Sequence, residues 1–192
     1  MKQLIQSRPL LWVLLALPGV WMIWRWSWGV STYGEIVSEA GVVATQLLLA
    51  ALAVTPLRLI FRRGSWLIWL MRRRRDIGLA AFGYAAGHLI VYVLRKRDPT
   101  LMLEEGLEPW LLSGWVALTL LLVLAATSND ASVRFLKRGW KRLHRLVYPA
   151  TVLVFVHWIL SAFDPTTAYI YLAVIGGLEV IRIGLQWRQR VT

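Results

Sequence analysis

Six apolar runs, each about as long as a bilayer-crossing helix, alternate with short polar blocks along this chain. They fall at about 9–26, 39–57, 77–94, 109–127, 143–163 and 168–187. In hydrocarbon the backbone must satisfy its own hydrogen bonds, so each run predicts a helix. The fold class expected is an all-α integral membrane protein, a single bundle of six transmembrane helices. Two details refine the boundaries. Pro56 is taken to mark the end of the second run. The shorter piece Trp66 to Met71 lies among arginines, is too short to cross, and is expected to rest at the interface. The first run ends in Trp24-Arg25-Trp26-Ser27-Trp28, which lacks a small-residue cleavage site. It therefore reads as a membrane span rather than a signal peptide.

Composition agrees: 58% of the 192 residues are hydrophobic and mean hydropathy is +0.57. The net charge of +12 would suggest nucleic acid in a soluble protein. Here the charges flank apolar runs, which points to topology and contact with anionic lipid. With the N-terminus inside, only Arg25, Arg95, Lys96 and Arg97 of the 22 lysines and arginines fall outside. Both termini are thus expected in the cytoplasm. Most of the twelve tryptophans are assigned to interfacial belts or to packing. The absence of cysteine excludes disulfides, thiolate metal sites, iron–sulfur clusters and c-type haem attachment. No catalytic triad, paired-carboxylate motif, P-loop or dinucleotide fingerprint occurs, so the chain has no complete active site of its own. The six spans leave no stretch within it for a soluble nucleotide-binding domain.

The chemistry rests on three histidines. His88 lies 13 residues beyond Arg75, and His157 lies 12 beyond Arg145, on two spans that run in the same direction. At 1.5 Å per residue both sit about 18–20 Å from the cytoplasmic edge of a core about 30 Å thick. Two imidazoles at one depth on parallel helices suit the axial ligands of a haem. The bland alternative is that each merely bonds a neighbouring helix. Gly83 and Gly87, beside His88, are expected to let a flat macrocycle approach the backbone.

His144 precedes His157 by 13 residues, with Pro149 between them. On an ideal helix the two rings would point about 140° apart, unless the proline changes the winding. The equivalent position on the third span is Arg75, so a second bis-histidine haem is not expected. Three readings of His144 stay open: a second haem with another ligand type, contact with a haem propionate or flavin phosphate, or a simple interfacial residue. Arg72–Arg75 serve first as a topology signal. Arg74 and Arg75 are candidate contacts for a cofactor phosphate, a propionate or a quinone head group. Asp76 reads as an isolated acid, and Glu179 is expected to pair with Arg182 at i+3.

The blocks RRRRDIGLAAFGYAAGHLIVYV and LAATSNDASVRFLKRGWKRLHRLVYPATVLVFVHW carry a resemblance. They are similar to the haem-binding membrane subunits of bacterial periplasmic methionine-sulfoxide reductase systems, within the ferric-reductase-like transmembrane family. That resemblance implies six spans, haem b and, in some members, FMN. It also implies electron delivery across the inner membrane, from the quinone pool to a molybdenum-dependent periplasmic subunit that repairs oxidised proteins. On this match His88 and His157 are the haem ligands, and His144 is a further haem-linked histidine. Unlike the NADPH oxidases of the family, the chain lacks one span-three histidine and the dehydrogenase domain. The rival readings are a small histidine-dependent transporter and a non-redox anchor subunit.

Overall fold

A computed structural model describes residues 7–61, 64–96 and 99–191. Lys2, Arg62, Arg63 and Arg97, which enter the topology argument, lie outside the described residues. The architecture is all-α, with no strand among those residues. Six helices are long and apolar enough to cross a bilayer.

Helix α1 (Arg8–Ser27) starts at Ser7, whose side chain caps the Leu10 N–H, and has proline in its first turn. Pro18 interrupts it internally. A proline there removes a backbone donor and bends the helix. The Tyr84 hydroxyl fills the gap: it accepts from Gly19 N–H at 2.8 Å and donates to the Leu15 carbonyl at 2.7 Å. One phenol thereby bonds both the Gly19 N–H and the Leu15 carbonyl, and it fastens α1 to the third helix.

Helix α2 (Tyr33–Ile60) opens on a reciprocal capping box, with Thr32 bonding the Glu35 N–H and Glu35 bonding the Thr32 N–H. It begins earlier than the apolar run and passes through Pro56 for another turn, so Pro56 does not end it. Helix α3 (Ser65–Lys96) is continuous over 32 residues. Trp66 to Met71 is therefore its opening stretch rather than a separate interfacial piece. A short helix α4 (Pro99–Gly106) leads to α5 (Pro109–Ala126).

Helices α6 (Asp130–Leu136) and α7 (Arg138–Leu143) meet at Lys137, whose φ of 48° turns the chain. A 3₁₀ turn, His144–Leu146, then joins α7 to α8 (Val147–Ser161). The expected change of winding near Pro149 is this turn. Helix α9 (Thr166–Val191) closes the fold after an Asp164 cap on Thr166.

The most extensive packing joins α2 to α3, and the next joins α5 to α8. These two antiparallel pairs form a central four-helix bundle. Each contributes to one buried cluster, made of Leu48, Ala81, Leu121, Leu124 and Ala150. Helix α1 lies against α2 and α3 through Met22, Ile36 and Ala40, and α9 lies against α2 and α8 through Ala168 and Ile175. The outer faces of α1 and α9 remain apolar, with Ile23 68% and Val180 70% exposed. Continuous apolar exposure on this scale suits lipid as the surrounding solvent.

Candidate functional site

His88 on α3 and His157 on α8 face each other across the bundle. Their ring centres are 6.1 Å apart and their planes stand at 86°. Each ring is fixed by its Nδ1. His88 Nδ1–H donates to the Val37 carbonyl of α2 at 2.8 Å, and His157 Nδ1–H donates to the Trp110 carbonyl of α5 at 2.6 Å. A carbonyl can only accept, so both Nδ1 atoms carry the proton. Each Nε2 then presents a lone pair, the arrangement by which proteins fix the tautomer of a ligating histidine.

A metal bound to two opposed imidazole nitrogens separates the ring centres by roughly 6 Å, given bonds of about 2 Å and the ring's own radius. The observed spacing fits. No group of three or more His, Cys, Asp or Glu side chains able to hold a bare metal ion occurs among the described residues. Two lone ligands suit an iron whose other positions are filled by a macrocycle. The two histidines line a cavity of about 320 Å³, walled mainly by apolar side chains from α2, α3, α5 and α8, with Trp110, Trp115 and Trp158 among them.

Gly83 and Gly87 do not line this cavity, and the space where their side chains would stand is open. The close approaches occur on the partner helices instead. A Cβ on Gly41 would lie 3.3 Å from His88 Nδ1, and one on Gly114 would lie 2.8 Å from His157 Nδ1. The sequence held a usable signal: each glycine follows by four residues the residue whose carbonyl accepts from the ring, Val37 or Trp110. Recognising it required knowing which helices pair.

A second cavity, of about 590 Å³, lies on the other side of Leu48 and Leu121, which line both. Its walls bring together Arg72, Arg74, Arg75, Lys141, Arg145 and His144. The His144 ring stacks on Trp140 with centres 3.9 Å apart, and its Nε2 lies 3.2 Å from the Thr127 hydroxyl. Trp140 Nε1 donates to the Thr127 carbonyl at 2.9 Å. Arg75 pairs with Asp130 at 2.6 Å, and its guanidinium lies 6.0 Å from the Trp140 ring. Arg74 donates to the Thr55 hydroxyl. Beside this cavity Tyr148 accepts from Arg182, which pairs with Glu179 at 2.8 Å as expected from their spacing. Asp76 is not isolated: Arg8 holds it at 2.8 Å, with Arg73 at 3.8 Å. The structure thus joins His88 with His157, and His144 with Arg74 and Arg75, in two separate places.

Residues 40–162 match the model of the "Ferric reductase like transmembrane component" family. Curated relatives align over nearly the full chain. A protein-methionine-sulfoxide reductase heme-binding subunit MsrQ of Ralstonia nicotianae is 34% identical, covering 97% of this chain and 89% of the relative. Proteins of the same name from Xanthomonas axonopodis pv. citri and Rhizobium meliloti are 36% and 34% identical. Those alignments cover 88% and 95% of this chain, and 77% and 87% of the relatives. Six apolar helices, an opposed pair of histidines inside them and this similarity agree: the chain is a multi-pass membrane protein of the ferric-reductase-like transmembrane family, in its MsrQ branch.

Proposed function

We propose that this chain is a b-type haem electron-transfer subunit, with His88 and His157 as the axial ligands. The relatives are named as heme-binding subunits of protein-methionine-sulfoxide reductases. The observation that carries the reading is the facing pair of imidazoles, 6.1 Å apart, each with Nδ1 committed to a carbonyl. Iron held there would supply one-electron chemistry at a potential set by its ligands and burial. The protein's part is to orient both rings, exclude water with an apolar wall, and keep Nε2 unprotonated.

In the cell the chain sits in the inner membrane with both termini cytoplasmic, as the lysine and arginine bias indicates. The His88/His157 level then lies toward the periplasm. Electrons leave there for a molybdenum-dependent periplasmic subunit that reduces methionine sulfoxide in oxidised proteins. They enter from the quinone pool at the opposite side. The basic cavity of Arg74, Arg75 and His144 suits the phosphate of FMN, a haem propionate or a quinone head group. Arg75 occupies that cavity with His144, where a second bis-histidine site would need another imidazole.

The test is the reduced-minus-oxidised absorption spectrum of the detergent-purified chain, with haem quantified as the pyridine haemochrome. One b-type haem per chain is expected. His88→Ala and His157→Ala should each lose most of it, while His144→Ala retains part. Full haem retention in both single variants would overturn the ligand pair. A well-folded, haem-supplied preparation without any chromophore would favour a histidine-dependent transporter or an anchor subunit.

A further inference from the structure

The latch on each histidine is built twice in the same way. A ring on the second helix of an antiparallel pair reaches a carbonyl on the first, and a glycine stands four residues after that carbonyl. In one pair these are His88, Val37 and Gly41; in the other they are His157, Trp110 and Gly114. Within a helix the carbonyl of residue i normally accepts from the N–H of i+4, here the glycine itself. A side chain on that glycine would project over the carbonyl and into the imidazole. With none there, the ring's N–H can share the carbonyl from the side. The fit is tighter at Gly114, where a Cβ would stand 2.8 Å from Nδ1, 3.0 Å from Cε1 and 3.3 Å from Cγ of His157. No Cβ can occupy that place unless the ring moves. At Gly41 the nearest approach is 3.3 Å, so a small shift of His88 suffices.

We infer that Gly41 and Gly114 are positioning residues for the two imidazoles, holding open the carbonyl contacts that fix ring orientation and tune the iron between them. The inference rests on the bis-histidine reading above. Its chemistry is that of an outer-shell hydrogen bond: an Nδ1–H donated to a carbonyl raises electron density at Nε2, which favours the more highly charged ferric iron. Weakening that bond therefore moves the midpoint potential in the positive direction. The same bonds set the angle between the ring planes, 86° here, and that angle governs the anisotropy of a low-spin ferric EPR signal.

The experiment uses the full chain in detergent, comparing Gly41→Ala and Gly114→Ala with Gly83→Ala, whose added methyl meets open space. Three quantities are read: haem per chain, midpoint potential by redox titration, and the ferric EPR spectrum. Gly114→Ala should shift the potential positive and alter the largest g value. Gly41→Ala should do the same to a smaller extent, and Gly83→Ala should match the wild type in both. A glycine needed only for packing would change thermal stability without moving potential or g value. If Gly114→Ala retains no haem, Gly41→Ala decides by the same readouts. Wild-type potential and spectrum in every haem-bearing latch variant would overturn the proposal while leaving the ligand assignment intact. Full haem in His88→Ala and His157→Ala would remove both.

Discussion

A histidine placed in hydrocarbon has two ring nitrogens to satisfy, and each histidine here shows where they go. His88 and His157 commit one to a backbone carbonyl, and both rings line the apolar cavity. His144 instead sets Nε2 against a threonine hydroxyl and its face against an indole. Thr127→Val should remove that hydroxyl contact while sparing the Trp140 bond to the Thr127 carbonyl, costing about 1 kcal/mol in thermal unfolding. Glu179 and Arg182 are a sharper case, since their side chains are only 18% and 16% exposed inside an apolar helix. Glu179→Ala strands the guanidinium and is expected to cost about 2–3 kcal/mol, reduced by Tyr148 and by residual solvent contact. Adding Arg182→Met should recover much of that loss. Wild-type melting of Glu179→Ala would show that the pair contributes nothing. Asp130 is held below the usual carboxylate range, first by its hydrogen bond from Arg75 and then by Arg75's charge. A depressed value means the contribution is complete above the ordinary 3.8 and disappears only as pH falls through the lowered one. Across about pH 5 to 8 this exposed pair should therefore add no pH dependence, and Asp130→Asn should melt close to wild type at pH 7.

At the scale of elements, the helices follow from apolar length, and the structure departs from the local pattern where tertiary contact overrides it. The capping box of Thr32 and Glu35 was readable in the sequence and places the start of α2 ahead of its apolar run. Pro56 was misleading because a buried helix tolerates proline when its neighbours hold it in place. The meeting of His88 and His157 was legible because each follows an arginine by a similar number of residues on helices that run the same way. The glycines that matter were not, because Gly41 and Gly114 belong to helices far from their histidines in sequence. Gly83 and Gly87 are close to His88 along α3 but do not line its cavity. The join of α1 to α3 has its own test. Tyr84→Phe leaves the Gly19 N–H and Leu15 carbonyl without their hydroxyl, next to a proline that supplies no N–H of its own. A loss of about 1–3 kcal/mol is expected. Hydrogen exchange in the middle of α1 should rise while the four-helix bundle stays protected. Uniform protection would mean that the phenol contributes little.

For the molecule as a whole, two antiparallel helix pairs each bring one latched histidine to a shared centre, with α1 and α9 as outer staves toward lipid. The two cavities between the pairs differ in kind: one is walled by apolar and aromatic residues around an imidazole pair, while the other sets five cations and His144 among its apolar walls. Leu48 and Leu121 belong to both walls and to the buried cluster between them. That partition is hydrocarbon, which carries no chain of hydrogen-bonded water. Replacing Leu121 with Ser should open a polar path, measurable as collapse of an imposed pH gradient in sealed proteoliposomes where the wild type holds it. The intact partition has an electrical consequence. An electron can tunnel through a thin layer of hydrocarbon that stops a proton, so turnover in the proposed role would move negative charge alone and polarise the vesicle until it stalls. Potassium with valinomycin should then restore the rate, and so should a protonophore, since either lets a compensating positive charge cross the lipid.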